Sequence, residues 1–449
     1  MKLGRFFKLT AVAALACVTL GCGNSTDLLT QPLDPTEVFR IIRVSLLGAD
    51  QQANGPSTSG ESLSSNGGFV VFSSSATNLV ANDTNGVQDI FVRDNSNGAT
   101  SRVSLDSADG EANGQSTAPR ISADGRFVAF TSQATNLVTG DTNGTLDVFV
   151  RDLVNGTTTR VSVDSAEVES NGNSSATFIS ADGRYVAFHS DATNLVAGDS
   201  NGAVDVFIRD TQAGTTVRAS LDSVGTQGNS DSVGAIVSSD GNLVAFYSDA
   251  TNLVAGDSNG LGDIFLKNLQ DGSIQRVNLS GTNQQADNLT GPDIDMTPDG
   301  RFVSFASLAG NLVTNDTNGF ADVFLRDTVA GSTFRASLSS NSTQVTDNGS
   351  FNPHLSANGR FVVFSSNSAQ FVPDDTNGVE DVFVRDFANG TTSRLSINEN
   401  GVGGNATSEH VGISADGRFV MFGSDATNLV PNDTNGFRDI FVARNLAQP

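Results

Sequence analysis

From about residue 39 onward, hydrophobic residues fall in short alternating runs of Val, Ile and Phe, with no helical period. Alternation places successive side chains on opposite faces of an extended strand. Ala118 to Ser122 is a short extended run, and Ala123-Asp124-Gly125 is a tight-turn signal. Arg126 to Ser132 carries apolar groups on both faces, the pattern of a strand in a sheet covered from both sides. Asp141-Thr142-Asn143-Gly144 closes a loop, and Asp147 to Arg151 is a third strand. Asn155-Gly156 is a hairpin turn, Thr159 to Val163 a fourth strand, and a long polar loop follows.

This unit occurs seven times. Asp-x-Asn-Gly-x-x-Asp-[Val/Ile]-Phe begins at Asp83, Asp141, Asp199, Asp257, Asp316, Asp375 and Asp433, always 58 or 59 residues apart. A fixed period of this size means one supersecondary unit stacked on its own copies. Four antiparallel strands per copy predict an all-β fold, a seven-bladed β-propeller over 39–449, with blades starting near residues 59, 117, 175, 233, 292, 351 and 409. The seventh copy stops after its third strand, Asp439 to Val442. Its missing fourth strand is found at the other end of the chain as Ile42-Arg43-Val44-Ser45-Leu46, which matches Ser101 to Leu105. The last blade is therefore expected to be closed by the N-terminal strand, leaving few open edges. An open β-solenoid gives no reason for a displaced strand.

Composition refines the picture. The chain of 449 residues has 46 Gly, no Trp, and 49 acidic against 25 basic residues. So negative a surface excludes nucleic acid and anionic lipid as natural partners and favours cations or basic proteins. Residues 1–21 read as a signal peptide: Lys2, Arg5 and Lys8, then an apolar run, then small residues ending in Gly21-Cys22. The segment Val18 to Cys22 resembles a bacterial lipobox, which implies lipidation of Cys22 and a tether over 22–38; an ordinary secretory signal is the alternative. On the lipobox reading the protein is lipid-anchored in the cell envelope on its periplasmic or extracellular side. Gly23, where an acidic residue would favour retention in the inner membrane, points to the outer membrane.

The run Thr297-Pro298-Asp299-Gly300-Arg301-Phe302-Val303-Ser304-Phe305, followed by Asp322-Val323-Phe324-Leu325-Arg326-Asp327, resembles the WD40-like Pro-Asp repeat of TolB-type propellers. The other copies read Ser-Ala-Asp-Gly or close variants, and every copy is longer than ~40–45 residues, the usual WD40 length. The resemblance covers roughly residues 39–449. It implies an extracytoplasmic propeller that binds proteins, without TolB's own partners, since only the short tether precedes the blades.

Three sets of residues carry candidate chemistry. The first is the Asp-Asn-Asp loop of each copy: Asp83, Asn85 and Asp89; Asp141, Asn143 and Asp147; Asp199, Asn201 and Asp205; Asp257, Asn259 and Asp263; Asp316, Asn318 and Asp322; Asp375, Asn377 and Asp381; Asp433, Asn435 and Asp439. Their oxygens resemble the calcium loops of integrin-type blades, although Ala, Thr or Pro stands where those place their first acidic ligand. The alternative is a turn in which Asp and Asn bond local backbone N–H groups. The second set is one Asn per interblade loop, at Asn54, Asn113, Asn171, Asn229, Asn288, Asn348 and Asn405, completing a cation site or tying loop backbone. The third is the innermost strands, where Phe178 and Ile236 give way to Asp293, Asp295, Asn352, His354, Glu409 and His410, with Arg120 and Glu61 on adjoining blades. Histidines near carboxylates suit a transition metal or acid–base work; solvated channel lining is the plainer reading.

Gly198 to Gly202 and Gly256 to Gly260 fit Gly-x-Ser-x-Gly but lie in strand–loop–strand context, unlike a hydrolase elbow. With only Tyr185 and Tyr247 beside the Phe residues, stacking platforms for sugars are scarce. The expectation is a monomeric protein-binding or scaffolding module rather than an enzyme. A calcium-stabilised adhesion surface and a hydrolase or lyase in the polar channel sector are the alternatives.

Overall fold

The computed structural model describes residues 41–48 and 51–445, apart from the side chains of residues 59–61. The expected leader, Cys22 and the tether lie outside the described residues, as does the Glu61 side chain. Seven four-stranded antiparallel sheets follow one another along the chain, with a small ribbon of Leu46–Leu47 and Gln51–Gln52. Blade one comprises Ser57–Leu63, Phe69–Ser74, Asp89–Asp94 and Ala99–Arg102, innermost strand first. In blade seven, Ser408–Ile413, Phe419–Ser424 and Asp439–Arg444 are completed by Ile41–Arg43. That outer strand pairs Ile41 with Ala443, Ile42 with Val442 and Arg43 with Phe441. The inner strand of blade seven packs on that of blade one, so the ring is closed.

The core lies between blades, which explains the apolar residues on both faces of the middle strands. One cluster joins Val71, Ile90 and Val103 of blade one to Ile121, Val128 and Phe149 of the next blade; another joins Val70, Phe72 and Phe91 to Phe419, Met421 and Ile440 of blade seven. In every blade the two middle strands bring a Phe pair together, stacked in six blades and tilted in blade four; Phe72 lies on Phe91 at 5.9 Å and Phe188 on Phe207 at 5.6 Å. Such side chains contribute about 1.5–3 kcal/mol each by burial.

The Ala-Asp-Gly turns show why glycine recurs. Gly125 has φ +78°, and a Cβ there would fall 2.3 Å from the Phe69 ring of the preceding blade. The turn backbone itself seals the blade interface, with Ser65 N–H donating to Ala123 O at 2.9 Å.

Each inner strand is bulged. Register shifts fall between Thr117 and Arg120, Phe351 and His354, and Glu409 and Gly412. Ala118, Asn352 and His410 take positive φ at these bulges. A bulge re-aims the side chains on either side of it, and here that decides which residues reach the channel.

Candidate functional site

The Asp-Asn-Asp loops hold arginine. In blade three, Arg218 Nη1 lies 3.0 Å from Asp199 and 2.9 Å from Asp205. Arg43 takes the same place between Asp433 and Asp439, Arg276 between Asp257 and Asp263, and Arg394 between Asp375 and Asp381. Arg102, Arg160 and Arg335 sit at 3.4–3.7 Å from their two Asp partners. These arginines come from the outer strand, at a position as regular as the Asp motif itself. The signal was in the sequence as Arg-[Val/Ala/Leu]-Ser or Arg-Val-Asn, but it reads there only as strand. The guanidinium stands where the loop oxygens converge, which answers the carboxylates with a cation built into the chain.

The Asn of each loop makes a turn. Asn143 donates to Asp147 at 2.9 Å and to Ser170 O at 3.0 Å, while its Oδ1 accepts Thr145 N–H at 3.0 Å. Asn85, Asn201, Asn377 and Asn435 repeat this set; Asn259 and Asn318 bond the interblade-loop carbonyl and the N–H two residues on. Burial pushes the carboxyls of Asp83, Asp141, Asp199, Asp257, Asp375 and Asp433 up, and the adjacent arginine pulls against it. Blade one adds Glu111, so three carboxylates, Asp83, Asp89 and Glu111, approach within 4.8 Å of one another. Arg102 bonds Glu111, and although burial alone would raise that carboxyl, bonds from Thr84 and Arg102 bring it down to about 2. Blade two repeats the trio with Glu169 on Arg160 at 2.8 Å. Among the described residues the blade-one trio is the place in the loops best suited to a divalent cation, which would have to share its ligands with the arginine.

The interblade asparagines tie loop backbone. Asn113 receives Thr135 N–H at 2.8 Å and donates to the Thr135 hydroxyl at 3.0 Å; Asn54, Asn171, Asn229 and Asn405 do the same. In blades five and six, however, the equivalent acceptor is Asp287, on Gly310 N–H, and Asp347, on Ala369 N–H. The expected Asn288 and Asn348 lie one residue away from that role, because the loop spacing shifts by one there.

The channel candidates separate into two groups. Asp293, Asp295, Asn352 and His354 line a central cavity of about 290 Å³ together with Arg120, Phe178 and Ile236. Asp295 Oδ2 accepts the N–H of Leu355, from the neighbouring blade, at 2.7 Å and faces His354 Nδ1 at 3.5 Å; its Oδ1 accepts Met296 N–H at 2.8 Å. Arg120 donates to Thr177 O across the next interface at 2.9 Å. The polar lining thus also fastens blade to blade. Glu409 and His410 are not among the lining residues. Glu409 precedes the blade-seven bulge and His410 lies in it; both join Arg438, whose Nη1 lies 3.0 Å from Glu409 and 3.3 Å from Asp425. His410 Nδ1 lies 3.3 Å from Glu409. Burial raises the carboxyl of Glu380, which bonds Ser365 and lies against Glu409. Neither Arg438 nor Glu380 stands out in the sequence; only the folded ring brings them to the histidine.

Both Gly-x-Ser-x-Gly segments are loops leading into third strands, at Asp205 and Asp263, and no helix occurs among the described residues. The sequence matches no family model and no curated relative. Solved structures do match it. An oligogalacturonate lyase in complex with manganese aligns at TM-score 0.56 and 11% identity over 91% of this chain and 94% of that one. The β-propeller domain of the trilobed protease from Pyrococcus furiosus aligns at TM-score 0.53 and 12% identity over 86% and 95%. TolB from Acinetobacter baumannii aligns at TM-score 0.40 and 16% identity over 69% of this chain, which spans 59% of that one. The two likenesses above a TM-score of 0.5 show the β-propeller fold.

Proposed function

We propose that this protein is a binding or scaffolding module of the cell envelope, held to a membrane by lipid on Cys22. The observation that carries this reading is where the repeats agree and where they diverge. The Asp–Arg clamps, Phe pairs and glycine turns recur around the ring and build a rigid frame. Variation collects in the inner strands and in the loops on the face that carries the Asp-Asn-Asp motif, where a rigid scaffold displays binding groups. A net charge of −24 favours a basic partner. Lipidation is tested by incorporation of labelled fatty acid into the expressed chain; unlabelled protein from the parent, or equal label in Cys22→Ala, removes the anchor from the proposal.

A second reading places lyase or hydrolase chemistry in the channel, favoured by the Asp295–His354 juxtaposition inside the central cavity. The variant His354→Ala separates the two. An enzyme turns over a substrate in the parent and loses that turnover in the variant, whereas a binding module keeps its partner in both and has no turnover to lose.

A further inference from the structure

Blade five breaks the repeat at one place on the face of the Asp-Asn-Asp loops. The N–H of the residue after the second strand bonds the carbonyl of the residue before the inner strand in blades two, three and four, pairing Gln133 with Gln115, Asp191 with Asn173 and Asp249 with Asp231. In blade five the same bond, 2.8 Å long, joins Leu308 to Leu289. The polar residues at the second position have work to do: Asn173 accepts Leu146 N–H, and Asp231 accepts Val204 N–H at 2.8 Å. A leucine side chain cannot accept a hydrogen bond, and Leu289 is left 54% exposed beside Leu308 at 36%.

The apolar surface continues into blade six. Leu308 follows Ser307, which pairs with Asp322, so it stands opposite Ala321. The Phe351 ring covers Gly349 next to Ala321, whose chain neighbour Phe320 is also exposed. Phe351 occupies the register position of Thr58, Thr117, Ser175 and Glu409 in other blades. Carboxylates bound the patch. Asp287 precedes Leu289 by two residues and accepts Gly310 N–H, two residues past Leu308. Asp231 and Asp249 hold the corresponding positions in blade four, and Glu380, on Ser365 opposite Phe351, leads to Glu409 in blade seven.

Exposed leucine and phenylalanine gathered inside an acidic border is the pattern of a recognition patch. We propose that Leu289, Leu308, Phe320 and Phe351 dock a polypeptide segment that presents an apolar side chain flanked by Lys or Arg. This rests on the binding-module reading and adds the surface and the partner's chemistry. A second copy of this chain would bring the same negative border against itself, which charge opposes.

The test uses the full chain, immobilised, against a displayed random-peptide library. Enriched peptides are expected to combine an aromatic or aliphatic residue with Lys or Arg, and a synthetic copy of one is expected to weaken as NaCl rises. Leu289→Asn/Leu308→Asp installs the residues blade three carries at these positions, so the fold has precedent for them. It is expected to keep its melting temperature and lose about tenfold or more in peptide affinity; Phe351→Ser, again the blade-three residue, should do likewise. Peptides that bind both variants as tightly as the parent overturn the patch and leave the binding-module reading standing. Acidic or uncharged peptides overturn the partner chemistry. A concentration-dependent dimer abolished by Leu289→Asn assigns the patch to self-association instead, and failure of any peptide to enrich counts against both this surface and the reading beneath it.

Discussion

Arg218→Met tests the claim that arginine is the cation of the Asp-Asn-Asp loops. Arg218 is the ion-pair partner of Asp199 and Asp205, whose side chains are 3% and 0% exposed. Removing one member of such a pair leaves uncompensated buried charge, and the loss is about 3–5 kcal/mol. At roughly 2.1 cal/mol/K per residue, a ring of about 400 residues has an unfolding entropy near 0.8 kcal/mol/K, so the expected fall in melting temperature is about 4–6 °C. The loss must also depend on pH in a definite sense. Burial already raises the Asp199 carboxyl while Arg218 lowers it, so without Arg218 it rises further. A group whose folded pKa is raised stabilises the fold in its protonated form, and that stability vanishes as pH climbs through the folded pKa. The deficit of Arg218→Met is therefore larger at about pH 8 than at about pH 5, and Arg218→Met/Asp199→Asn recovers part of it. The assay is calorimetry or circular dichroism melting at the two pH values. A variant that melts within about 1 °C of the parent at neutral pH refutes the reasoning.

Metal removal is the companion experiment: with arginine satisfying the loops, chelator is expected to shift the parent's melting temperature by no more than about 1 °C, and a sharp fall would assign the loops to calcium. Gly125→Ala meets both positive φ and the Phe69 ring, so a loss of about 1–3 kcal/mol is expected in denaturant unfolding. Asp152 behaves oppositely to Asp199: its bond to Arg126 holds its carboxyl down to about 2, so its contribution is present above the ordinary carboxyl range and disappears as pH falls toward 2. Asp152→Asn should accordingly flatten acid unfolding over that interval, as followed by fluorescence of a hydrophobic dye. Truncation through Ser45 removes the outer strand of blade seven together with Arg43, and size-exclusion chromatography is expected to show loss of a monodisperse species.

The ring was legible because its signals are local and repeated. Each Phe-Val-x-Phe run and each Ala-Asp-Gly turn declares its element without distant help, and the displaced strand Ile42–Leu46 is recognisable by likeness to Ser101–Leu105. The site was less legible, for identifiable reasons. The Asp residues of the loops suggested metal because oxygen spacing is visible along the chain, whereas Arg218 lies across a hairpin and meets them only after folding. Glu409 and His410 appeared to share the channel with His354, but Gly412 holds the register position of His354, and Glu409 and His410 meet Arg438 instead. Bulges leave no clear mark in an alternating pattern. Asn288 and Asn348 failed through a one-residue change of loop length that moves the tying role to Asp287 and Asp347.

The closure of blade seven has a consequence for how the molecule assembles. Arg43 and Asp439 are 396 positions apart, so the seam forms only when nearly the whole polypeptide is available. The leading strand is almost a copy of six internal outer strands, and in principle it suits the third strand of any blade. Those six vacancies, however, are filled by their own hairpins within microseconds, long before a distant end arrives. Local folding thereby removes the decoys in turn, and the first-made strand finds its correct berth by being the last one without a seat.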